Sequence, residues 1–125
     1  GNAEEAARLY TSIVPNSVVT SISPVLVTFE LDGVPFKALN GGPQFKPTEA
    51  ASIVVSTKNQ EDTDRLWSAL IANGGSEGRC AWLKDRFGVS WQIVPQILQK
   101  FRFYMRVSGR LPSPAQRQAG FLLLG

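Results

Sequence analysis

The sequence predicts an α+β domain made of paired βαβββ modules, and three observations carry that prediction. Residues 3–13 and 60–72 have helix-forming composition with apolar stripes at helical spacing. Short β-rich runs at 18–23, 25–31, 34–39, 51–57, 78–84 and 89–94 are punctuated by Asn, Asp, Gly and Pro. The order of these elements gives the same unit twice, with its first strand missing from the first copy. Two such units side by side form a curved mixed sheet, helices outside and a concave pocket inside. The paired domain spans 1–98, module one 1–47 and module two 48–98, followed by an atypical basic extension at 99–125.

The first helix carries apolar residues at 6, 9, 10 and 13, with Asn2 as the expected N-cap and Glu4 and Glu5 where the helix dipole favours acids. Pro15-Asn16-Ser17 ends it. In the run 25–31, Val25, Val27, Phe29 and Leu31 share a face, and Asp32-Gly33 is a hairpin signal returning into 34–39. Asn40-Gly41-Gly42-Pro43 breaks that strand. It lacks the helix and lysine of a phosphate loop, so it is read as a turn. Asn59 caps the second helix, Leu66, Leu70 and Trp67 supply its apolar stripe, and Asn73-Gly74-Gly75 stops it. Asp85-Arg86-Phe87-Gly88 is a turn with Gly where a positive φ is needed.

The net charge of +3 suggests a nucleic-acid partner until its distribution is examined. Residues 1–98 hold eight Lys and Arg against ten Asp and Glu; the five remaining basic residues, Lys100, Arg102, Arg106, Arg110 and Arg117, all lie in the extension. The expectation is no nucleic-acid partner and a solvated basic tail. The rival reading is a tail that docks anionic polymers in a salt-sensitive manner. No apolar run is long enough to span a bilayer, and no charged-then-apolar segment with a small-residue cleavage site opens the chain. A single cysteine, Cys80, fits a reducing compartment, and the expected location is cytoplasmic. With no histidine in the chain to activate it, Cys80 is read as a buried or inert thiol.

The segments GNAEEAARLYTSIVPNS, VTFELDGVPFKALNGGPQFKPTEAASIVV and CAWLKDRFGVSWQIVPQIL resemble the PhnB-like branch of the vicinal oxygen chelate superfamily. That superfamily includes glyoxalase-type and bleomycin-resistance-type proteins, and members of this branch often carry a demethylubiquinone-methyltransferase-like label. The resemblance covers essentially all of residues 1–98. It implies the glyoxalase/bleomycin resistance/dioxygenase-like fold and a homodimer. In metal-dependent relatives it also implies a divalent ion held by His or Glu from the first and last strands of each module. Relatives begin with a short strand before the first helix. The vacant edge could be filled by Phe121 to Leu124 or by Phe101 to Val107, from the same subunit or a partner; the opposing reading gives the tail no evolved role.

Carried over residue by residue, the ligand pattern is not met. Module two offers Ser52 where relatives carry histidine, and FGVSWQIV offers Gln92 where they carry glutamate. Module one offers Asn40 or Ala38 in its last strand. Hydroxyls and amides are poor ligands for Zn, Ni or Fe. The expectation is therefore no bound metal or other cofactor, and a cavity lined by Asn40, Ser52, Trp82 and Gln92 that holds a small organic ligand. Catalytic residues are not identified. Trp91, on the opposite face of its strand from Gln92, is expected in the core; the face of Trp82 is left open. The rival is a metal-dependent lyase, isomerase or dioxygenase of the same superfamily. Methyl transfer of the common type needs a strand, a Gly-rich turn and a helix on a parallel sheet, and no such unit is found.

Overall fold

The structure, a computed structural model, describes residues 1–96. The segments 101–107 and 121–124, considered above for the vacant edge, lie outside the described residues, as does the rest of the basic extension. The chain divides into two compact units, Gly1–Lys46 and a second from Pro47 onward.

In the first unit, α1 (Ala3–Ile13) buries Ala3, Ala6, Ala7, Tyr10 and Ile13, a stripe at helical spacing. It packs on an antiparallel sheet of β1 (Val18–Ile22), β2 (Leu26–Leu31) and β3 (Val34–Leu39), in that order. Val27, Phe29 and Leu31 alternate inward along β2 and are all buried, as a half-buried strand requires. The Phe29 ring lies 6.2 Å from that of Tyr10 and stacks on Phe36 at 5.5 Å. Asp32 and Gly33 both take positive φ, 49° and 79°, the conformation of a two-residue turn that matches strand twist. Val25 stays outside β2 and is exposed, because Ser23 Oγ and Leu26 close a tight turn around Pro24.

The expected capping role of Asn2 is not realised. Its φ of −116° and ψ of 22° are not those of a capping residue, and its side chain makes no capping bond. Asn40 supplies the acceptor instead: its Oδ1 takes the Ala3 N–H at 3.0 Å.

The second unit is a complete βαβββ module: β4 (Ser52–Thr57), α2 (Gln60–Ile71), β5 (Ser76–Glu77), β6 (Trp82–Lys84) and β7 (Ser90–Pro95). Its sheet runs β4-β7-β6-β5, with β4 parallel to β7 and the other pairs antiparallel. Asn59 caps α2 as expected, its Oδ1 accepting from the Asp62 N–H at 2.8 Å. Leu66 and Leu70 are buried on α2, which packs on β4, β6 and β7, where Ile53, Leu83, Trp91 and Ile93 are buried. The run expected as one strand from 78 to 84 is instead a hairpin turn followed by β6. Gly78 N–H bonds to Trp82 O, and Trp82 N–H bonds back to Arg79 O. Cys80 sits on that turn at φ 54° and is exposed, so the thiol is not buried. At the end of α2, Gly75 fits where a Cβ would stand 2.6 Å from Ile71 Cα and 2.8 Å from Lys84 O.

Candidate functional site

The site begins with the turn before β7. Asp85 is buried, and its Oδ1 accepts the N–H groups of Phe87 and Val89 at 2.8 and 3.0 Å. Its Oδ2 accepts the Trp91 indole N–H at 2.9 Å. A buried carboxylate with this set of donors anchors the strand's first residues. It also fixes Trp91 on the face that α2 covers. Side chains alternate along a strand, so Ser90, Gln92 and Val94 occupy the opposite face.

Neighbouring strands add to that opposite face in two rows. Register pairs Ser90 with Ser52 on one side and Lys84 on the other; it pairs Gln92 with Val54 and Trp82. Trp82 therefore shares the face of Gln92, which the sequence left open. Ile93 N–H bonds to Ala81 O. Trp82 and Gln92 are thus a non-hydrogen-bonded antiparallel pair, the kind that brings side chains closest. Gln92 Nε2 donates to Ser52 Oγ at 2.9 Å, joining β7 to β4 through side chains. Lys84 Nζ donates to Glu49 Oε1 at 2.9 Å, so the cation of this face has a counter-charge beside it. Ser90 is 1% exposed, and its Oγ has no hydrogen-bond partner among the described residues. A buried hydroxyl left unpaired costs about 1–3 kcal/mol, so its position calls for a reason.

Ser52, Trp82 and Gln92 are thus brought together. Asn40 is placed differently, in the first unit. It follows β3 with the parity of Phe36 and Ala38, whose neighbours on β2, Phe29 and Val27, are buried. Its amide holds α1 through Oδ1 and donates through Nδ2 to Pro24 O at 3.0 Å. The β3 residue that matches Gln92 is Lys37, which follows Gly33 at the interval by which Gln92 follows Gly88; both glycines have positive φ. Counting from those two turns would have found it. Thr28 lies opposite Lys37 and bonds to the hydroxyls of Thr20 and Ser21 at 2.7 and 2.6 Å.

The metal that the superfamily implies is tested by this donor set. The second unit presents two serine hydroxyls and one carboxamide, and Glu49 is engaged by Lys84. Among the described residues, no three His, Cys, Asp or Glu side chains gather. Neutral hydroxyl and amide donors do not fit a resident Zn, Ni or Fe ion.

Comparison with known proteins gives this arrangement a class. A glyoxalase/bleomycin resistance protein from Albidiferax ferrireducens T118 is similar in fold, with TM-score 0.54 at 17% identity over 74% of this chain and 88% of its own. Protein PA1353 from Pseudomonas aeruginosa is similar with TM-score 0.61 at 21% identity over 76% and 90%. A Bacillus cereus PhnB protein, described as a putative 3-demethylubiquinone-9 3-methyltransferase, gives TM-score 0.66 at 29% identity over 76% and 92%. The fold is thus of the glyoxalase/bleomycin resistance type. Residues 1–94 match the 3-demethylubiquinone-9 3-methyltransferase family, and the chain belongs to it, in the PhnB-like branch of the vicinal oxygen chelate superfamily. No functionally curated protein matches the chain. Among the described residues, no helix is long and apolar enough to cross a membrane.

Proposed function

We propose that this protein binds a small organic molecule on the sheet face formed by Ser52, Trp82 and Gln92, without a resident metal ion. The observation that carries the reading is the hydrogen bond from Gln92 Nε2 to Ser52 Oγ. Where a metal cage would need imidazole or carboxylate, this pair offers hydrogen-bonding groups of modest donor strength. Trp82 beside Gln92 adds an aromatic surface, and a polar cluster next to an aromatic ring is how small-molecule sites gain both affinity and orientation. The proposal includes a homodimer, as the family resemblance implies, and a cytoplasmic location, which the single cysteine suggests.

Methyl transfer is not part of the proposal. The parallel strand β4 enters α2 through Lys58-Asn59, a connection without glycine. A methyl donor of the nucleoside type is held by a Gly-rich turn at that place.

The test is metal content of tag-free protein by mass spectrometry, paired with thermal-shift titrations of Mn, Fe, Ni and Zn. The expected result is sub-stoichiometric metal and no ion that raises the melting temperature. One near-stoichiometric ion that also stabilises the fold would overturn the reading in favour of a metal-dependent lyase, isomerase or dioxygenase.

A further inference from the structure

We infer that the ligand of the Ser52–Gln92 site is an uncharged planar molecule that presents an amide edge, a carboxamide or a lactam, beside Trp82; this rests on the binding function proposed above. The polarity of the groups on the face leads to that class. One hydrogen of Gln92 Nε2 is engaged by Ser52 Oγ. Among the described residues, Gln92 Oε1 and the second Nε2 hydrogen make no other bond, so the amide still offers one acceptor and one donor. The complement of such a group is one that offers both a donor and an acceptor, as another amide does. A carboxylate offers only acceptors, and an amidinium offers only donors. Either would leave one group of Gln92 unmatched in a partly buried setting.

The charges on the face agree. Among its described residues the charged side chain is Lys84, which Glu49 neutralises at 2.9 Å. The pair thus brings no net charge to the face. Trp82 flanks Gln92 directly across the strand pair. A flat ring bearing the amide can therefore lie against the indole while its polar edge meets Gln92. Ser52 Oγ acts as acceptor toward Gln92, and its hydroxyl hydrogen has no acceptor among the described residues. The unpartnered Ser90 Oγ lies in the same row as Ser52.

Benzamide, benzoate and benzamidine share a shape and differ in the polarity of one edge. Isothermal titration of each is made against the full chain and against Gln92→Glu, with melting temperatures confirming that the variant folds. The expected order for the native protein places benzamide at least about tenfold tighter than either charged analogue, the factor that one unmatched hydrogen-bonding group produces. In Gln92→Glu the carboxylate only accepts, so benzamidine is expected to become the preferred probe. Benzoate or benzamidine preferred by the native protein, an order unchanged by Gln92→Glu, or no binding of any probe would each overturn the amide class. The binding function itself is judged separately: it stands if other aromatic compounds still perturb Trp82 and Gln92, and falls if a metal ion occupies the site.

Discussion

The Asp85 carboxylate accepts the indole N–H of Trp91 at 2.9 Å, and this one bond sets which face of β7 meets α2 and which carries Ser90, Gln92 and Val94. The same carboxylate holds the turn through Phe87 and Val89. Asp85→Ala would strand the indole N–H and two backbone donors in a buried place. The expected loss is about 3 kcal/mol of unfolding free energy or more, measured by urea denaturation. Asp85→Asn keeps the shape but brings an N–H against donors, and an intermediate loss is expected.

Helix α2 and strand β6 meet at Gly75 with no room for a side chain. Gly75→Ala forces backbone to move, because the nearest atoms belong to Ile71, Leu70 and Lys84 main chain. A destabilisation of about 1–3 kcal/mol is expected. Gly41→Ala is the control: its added methyl would meet the Leu39 side chain at 3.8 Å, an ordinary contact, and a change within about 0.5 kcal/mol is expected. Thermal or chemical denaturation of the two variants side by side checks the contrast.

The helix α1 is held at its start by a residue distant in sequence. Asn40→Ala removes the acceptor for the Ala3 N–H and the donor to Pro24 O. It is expected to cost about 1 kcal/mol, the usual worth of a helix cap. Asn2→Ala, which loses no capping bond, is expected to fall within about 0.5 kcal/mol. Equal losses in the two variants would contradict this assignment of the cap.

The two helices, the Asp32-Gly33 hairpin and the core position of Trp91 were legible in the sequence, because each is written in local spacing or strand parity. The Asn59 cap was legible for the same reason, since acceptor and donor are three residues apart. What was not legible depended on residues far apart. Asn2 has the right chemistry for a cap, but Asn40 has the right position, and nothing local distinguishes them. The face of Trp82 depended on the tight turn at 78–81, which restarts the alternation and was read as continuous strand. Gln92 and Ser52 were placed as candidates by family resemblance. Their bond, the Lys84–Glu49 pair and the unpartnered Ser90 Oγ required the parallel register of β4 on β7, which no short stretch encodes. Lys37 holds in β3 the place that Gln92 holds in β7, whereas the parity of Ala38 and Asn40 directs them toward the α1 side of β3.

Ser52→Ala tests the pair without altering Gln92. The Gln92 amide loses its only side-chain partner on β4. The amide is then expected to be less well oriented, weakening binding of an amide probe about three- to tenfold. Stability should change little, because Gln92 retains partial access to water. Titration calorimetry with a parallel melting curve separates the two effects.

The most direct test of the central claim is a screen of small aromatic compounds against isotope-labelled protein by two-dimensional NMR, reading the Gln92 side-chain amide and the two indole N–H signals of β6 and β7. The account predicts hits that move the Gln92 amide and the Trp82 indole while the Trp91 indole, bonded to Asp85 on the α2 side, stays in place. Hits that bypass Gln92 and Trp82, or binding that appears only after a divalent ion is added, would contradict it.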